Sequence, residues 1–105
     1  CYDAVRETFR PYPGVRVVRG AIPGTLAEVA ADKVAYLSID MNCVAPEIAA
    51  AEFFWDRLVP GAVMVLDDYG FELHEPQKRA FDEFAARRGV AVLSMPTGQG
   101  LIFKP

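Results

Sequence analysis

The chain has only two cysteines, Cys1 and Cys43. They are too few for a disulfide framework and lack the spacing of a metal-binding motif, so free thiols are expected. No apolar run approaches the roughly 20 residues needed to cross a bilayer. The N-terminus also lacks the charged, apolar and small-residue order of a signal peptide, which makes a cytoplasmic location the expectation. There is no basic cluster: 11 lysines and arginines are scattered among 14 acids, for a formal net charge of -3. Nucleic acid and membrane are therefore not expected as partners. Internal repeats and low-complexity segments are absent.

What remains is ordinary globular material, 52% hydrophobic and 24% charged, which excludes a disordered or collagenous chain. With 105 residues the chain is one domain at most, enough for a single core but below the size of many complete α/β enzymes. It begins at Cys1 in what reads as the middle of a helical pattern, so a piece of a longer polypeptide is expected.

Tyr2, Val5 and Phe9 recur at helical spacing and Pro11 stops them, which reads as the last turns of an amphipathic helix. VRVV (15–18) is a short strand candidate. Thr25 and Glu28 have the spacing of a capping box, predicting a short helix after Pro23 and Gly24. KVAYLSID (33–40) reads as a mostly apolar strand ending at Asp40. A helix opened by Pro46 in its first turn follows, with Ile48, Ala51, Trp55 and Leu58 as its core stripe and Pro60 and Gly61 as its stop. AVMVLD (62–67) is the next strand. A helix from about Pro76 buries Phe81, Phe84 and Ala85 and closes at Arg87, Arg88 and Gly89, with acids before it and bases at its end to match the helix dipole. GVAVLSM and GLIFKP, joined by PTGQG, read as a hairpin. Alternating strands and helices predict an α/β fold, a mostly parallel sheet with helices on both faces and an antiparallel last strand.

In open α/β sheets, ligands bind at the carboxyl ends of strands. Two successive strands end in acid here, at Asp40 and at Asp67 with Asp68 next to it, and consecutive helix-linked strands are often neighbours. Two carboxylates about 4 Å apart repel by roughly 4 kcal/mol at an effective dielectric of about 20. Such a cluster needs a proton, a basic partner or a cation. No lysine or arginine lies beside either motif, so a hard divalent cation, Mg²⁺ most simply, is the economical solution. The competing reading is a plain turn, because Asp-Tyr-Gly is ordinary turn composition. Neighbouring strand residues also face opposite ways, so Asp67 and Asp68 share a site only if the strand has ended.

His74, the one histidine, lies in the polar loop FELHEP, where such a residue is more often solvated or a helix cap than a base. Asn42 and Cys43 follow Asp40 in the same loop. Cys43 has no basic neighbour to depress its pKa and is not expected to act as a nucleophile. PTGQG lacks the lysine and the following helix of a phosphate loop and reads as a turn.

KVAYLSIDMN, then FFWDRLVPGAVMVLDDYG, then QKRAFDEF, together resemble the C-terminal half of a class I S-adenosylmethionine-dependent methyltransferase, and more narrowly the macrocin O-methyltransferase family. The resemblance runs from about Val15 to the C-terminus. It implies a partial Rossmann-like methyltransferase sheet and divalent-metal-assisted methylation of a hydroxyl on a sugar or other small molecule. It also implies that Asp40, Asp67 and Asp68 are the metal ligands. The family pattern has a second acid, a candidate general base, where this chain has Asn42. An amide cannot take that proton, so the resemblance leaves Asn42 as a substrate contact and His74 or a metal-lowered hydroxyl pKa for the base role. The family's glycine-rich loop and the acid of its second strand, which hold adenosylmethionine, have no counterpart in these residues and are expected upstream of Cys1. The chain alone is then expected to be inactive. VRVV would lack its neighbour and the LSID strand would be an exposed edge, open to association with another copy. Two other classes stay open at this point: a receiver-like phosphoacceptor domain, for which Lys104 is the only late lysine, and a non-catalytic oligomeric interaction module.

Overall fold

The computed structural model describes residues 1–105. Its elements are α1 (Tyr2–Phe9), a 3₁₀ turn (Gly24–Glu28), β1 (Val34–Ile39), α2 (Val44–Trp55), β2 (Leu58–Leu66), α3 (Glu75–Arg87), β3 (Leu93–Ser94) and β4 (Gly100–Phe103). The strands form one mixed sheet in the order β1-β2-β4-β3. β1 and β2 run parallel, as an intervening helix requires, whereas β4 is antiparallel to both β2 and β3. The last strand thus runs as its connection predicts, and β1 is an open edge.

Side chains alternate across the sheet. One face carries Ile39, Ala62, Met64, Leu66 and Ile102, which form a single core with Ala51 of α2 and Phe81, Phe84 and Ala85 of α3. Phe84, Met64 and Ile102 are fully buried there, each worth roughly 1.5–3 kcal/mol of transfer free energy. α2 and α3 therefore lie on the same face. Arg87 and Arg88 at the end of α3 pair with Glu52 of α2 and fasten the two helices together.

The expectation of helices on both faces fails. α1 buries none of its residues, and Tyr36, Leu93 and Phe103 on the opposite sheet face remain exposed. The strand expected at 15–18 is also absent; Val15 and Val18 are exposed and belong to no sheet. A strand is a pairing, and no neighbour is present to complete it.

Two local readings are corrected as well. The capping box does not form: Pro23 is the cap residue, and the Thr25 hydroxyl donates back to the Ala21 carbonyl at 3.1 Å. Pro60 and Gly61 do not end α2, which stops at Trp55. They sit inside β2, where the ladder skips from Val34↔Leu58 to Tyr36↔Val63. Pro60 has no N–H to give a ladder and Gly61 takes φ +85°, so the pair makes the irregularity rather than the stop. Leu58 is buried as the first residue of that strand.

Candidate metal centre

β2 ends at Leu66, and residues 67–70 form a turn. The strand has therefore ended before the acid pair, and Asp67 and Asp68 are free of strict alternation. One further backbone bond extends the β1–β2 register: the Asp67 N–H donates to the Ile39 carbonyl at 3.0 Å. This sets Asp67 beside the end of β1, where Asp40 follows. Asp40, Asp67 and Asp68 each offer a carboxylate oxygen, and these oxygens lie within 4.8 Å of one another. Asp40 is exposed and the other two are half-buried.

Three carboxylates at that separation repel, and no lysine or arginine pairs with them. The Oδ2 atom of Asp68 is buried without any hydrogen-bond partner, an arrangement that costs free energy unless something supplies a positive charge or a proton. An oxygen-only donor set with one orphaned buried atom fits a hard divalent cation.

Other elements fix this geometry. The Gln99 side-chain amide donates to Asp67 Oδ1 at 2.8 Å. The loop carrying Gln99 is pinned to the acid turn by the Gly70 N–H, which donates to the Gly98 carbonyl at 2.6 Å. A Cβ on Gly70 would come within 2.9 Å of that carbonyl oxygen, so glycine is needed for the approach. Tyr69, between acid pair and glycine, turns into the core and donates its hydroxyl to Asp82 of α3, which also accepts from Lys78 at 2.7 Å.

His74 is the residue before α3, and its side chain makes no cap bond. Its Nδ1 lies 3.9 Å from Asp68 Oδ2 and 2.9 Å from the amide of buried Gln77. It thus stands at the margin of the acid cluster. Asn42 adopts φ +55° in the loop after Asp40, a conformation asparagine tolerates better than most residues. Cys43 is exposed with a free thiol, as is Cys1. Lys104 donates to the Trp55 carbonyl at 2.7 Å, so it is engaged away from the acids, against the receiver-like reading.

Glu47 escaped the sequence reading. It sits in the first turn of α2, is only 3% exposed, and its Oε1 accepts the Met41 N–H at 3.1 Å. Burial pushes its pKa up, and the Asp68 charge adds to this, against the N–H groups of Met41, Cys43 and Asn42. The only sequence signal was its place in a helix first turn close after Asp40. Gln99 was missed for another reason: PTGQG is indeed a hairpin turn, but one whose side chain reaches the strand-end acid.

A family model described as Macrocin-O-methyltransferase (TylF) matches residues 1–95. The chain belongs to the macrocin O-methyltransferase family. The match begins before Val15 and stops at Met95, so it includes α1 and omits the PTGQG turn and β4. No curated protein matches the chain. Membership in the macrocin O-methyltransferase family implies methyltransferase chemistry, with adenosylmethionine as the donor and a small molecule as the acceptor. No helix is long and apolar enough to cross a membrane.

Proposed function

We propose that this domain serves an adenosylmethionine-dependent O-methyltransferase acting on a hydroxyl of a sugar or similar small molecule, with Asp40, Asp67 and Asp68 holding Mg²⁺ or another divalent cation. The supporting observation is the convergence of the three carboxylates around the partnerless Asp68 Oδ2. A divalent cation at that place would lower the pKa of an acceptor hydroxyl brought against it, as metals do for water.

The protein's own groups do the rest. Asp67, held by Gln99, and Asp68, with its buried Oδ2, would hold the cation against which the acceptor hydroxyl is brought. Asp40 stands at the exposed lip, and Asn42, next along the loop, is placed to offer its amide to neighbouring acceptor hydroxyls. His74 is the candidate base: with Nδ1 engaged by Gln77, proton transfer falls to Nε2. As placed, the Gln77 amide nitrogen faces Nδ1 at 2.9 Å and donates to it; for the base role that amide must turn over, so that Nδ1 carries its hydrogen, donates to the amide oxygen and leaves Nε2 free to accept a proton.

The same residues do not fit the methyl donor. No glycine-rich turn joins a strand to a helix here, and no strand-end acid other than those of the metal cluster is free to bind a ribose.

Isothermal titration with Mg²⁺ tests the reading. One saturable site is expected in the chain, lost in Asp67→Asn; absence of a saturable site, or its survival in that variant, refutes the assignment.

A further inference from the structure

Glu47 is the acid that the metal cluster leaves out. It is nearly inaccessible, on the first turn of α2, yet close enough to Asp68 for that charge to raise its pKa. The three acids whose oxygens approach within 4.8 Å do not include it. Its carboxylate instead turns back to the loop between β1 and α2. There the Met41 N–H is donated to Glu47 Oε1 at 3.1 Å, and the N–H groups of Cys43 and Asn42 also favour the charged carboxylate. Burying a carboxylate is costly unless hydrogen bonds offset it, and loop N–H groups are what this one has found. The loop they belong to contains Asp40, the most exposed of the three candidate ligands, and Asn42 with its positive φ.

We propose that Glu47 is a positioning residue: its buried carboxylate grips the backbone of the Asp40–Cys43 loop and so presents the Asp40 carboxylate to Asp67 and Asp68, without itself ligating the cation. This rests on the cation-binding reading of the three aspartates. Glu47 thereby couples the start of α2 to the end of β1. Asp67 is held separately, by Gln99 and by the Ile39 carbonyl. Asp40 and Asp67 are thus braced by different side chains, Glu47 and Gln99.

The test compares Mn²⁺ binding, followed by electron paramagnetic resonance, in the wild-type chain, Glu47→Gln and Glu47→Met. Glutamine keeps an oxygen that accepts the Met41 N–H, whereas methionine fills similar space with no such acceptor. Glu47→Gln is expected to bind within about threefold of wild type. Glu47→Met is expected to lose about tenfold or more, the usual size of a lost outer support for a metal ligand. Hydrogen exchange at the Met41 amide gives a second readout that survives even if the methionine variant folds poorly. The amide should be protected in the wild type and in Glu47→Gln. Equal loss of affinity in both variants would make Glu47 a ligand and overturn the proposal, as would an unprotected Met41 amide in the wild type. Wild-type affinity in Glu47→Met overturns the positioning role alone. A flat Mn²⁺ titration of the wild type overturns the cation reading and this role with it.

Discussion

Replacing Asp68 by asparagine should stabilise the metal-free chain while destroying its response to Mg²⁺. The carboxylate oxygens of the cluster lie within 4.8 Å. At that distance a pair of charges repels by about 0.9 kcal/mol at a dielectric of about 80 and by about 3.5 kcal/mol at about 20. Asp40 is exposed, so its pair with Asp68 sits near the lower figure. Asp67 and Asp68 are half-buried, which moves their pair upward. The substitution removes both pairs and the orphaned Oδ2 charge, for a gain of about 2–4 kcal/mol without metal. For a domain this small, each 1 kcal/mol moves the melting temperature by about 4–8 °C. Wild type should recover the difference on adding Mg²⁺, since a ligand at about 100 times its Kd contributes about 2.7 kcal/mol. The assay is thermal unfolding of both proteins in chelator and in saturating Mg²⁺. If Asp68→Asn melts no higher than wild type in chelator, or if Mg²⁺ raises both equally, the reasoning is wrong.

Further outcomes follow from the contacts around the site. Gln99→Leu removes the donor to Asp67 Oδ1 and should weaken Mg²⁺ binding about tenfold, read by calorimetry, while Asp67→Asn abolishes it. The Asp82 carboxyl is pushed up by burial, but hydrogen bonds from Lys78 and Tyr69 outweigh this and hold it below its ordinary 3.8. A depressed acid contributes stability above its unfolded pKa and loses it as pH falls through the folded value. Tyr69→Phe should therefore cost about 1 kcal/mol at neutral pH, and urea titrations should show the gap closing below pH 3.8. The open edge of β1 and the bare face with Tyr36 and Phe103 favour self-association. Sedimentation should show mass rising with concentration, and a monomer at every concentration would contradict this.

The elements that position the site were legible because their signals are local. Apolar runs ending in acid mark β1 and β2, and the spacing of Phe81, Phe84 and Ala85 marks α3, all of which the structure contains. What failed depends on partners that local pattern cannot see. VRVV has strand composition but no neighbour. Pro60 and Gly61 look like a helix stop, yet the ladder absorbs them as an irregularity. The convergence of Asp40 with Asp67 and Asp68 was expected from strand adjacency. Its supports were not, because the Gln99–Asp67 bond spans 32 residues and the Glu47 carboxylate folds back over a loop. A buried glutamate in a first helical turn reads in sequence as a dipole-matched surface residue, and only its burial shows otherwise.

The most direct measurement is anomalous diffraction from crystals of the chain grown or soaked with Mn²⁺. The account predicts one strong peak within about 2.0–2.6 Å of carboxylate oxygens of Asp40, Asp67 and Asp68, the span of hard-cation–oxygen bonds, with Glu47 outside bonding distance. A peak elsewhere, or none while the three side chains stay together, would contradict it.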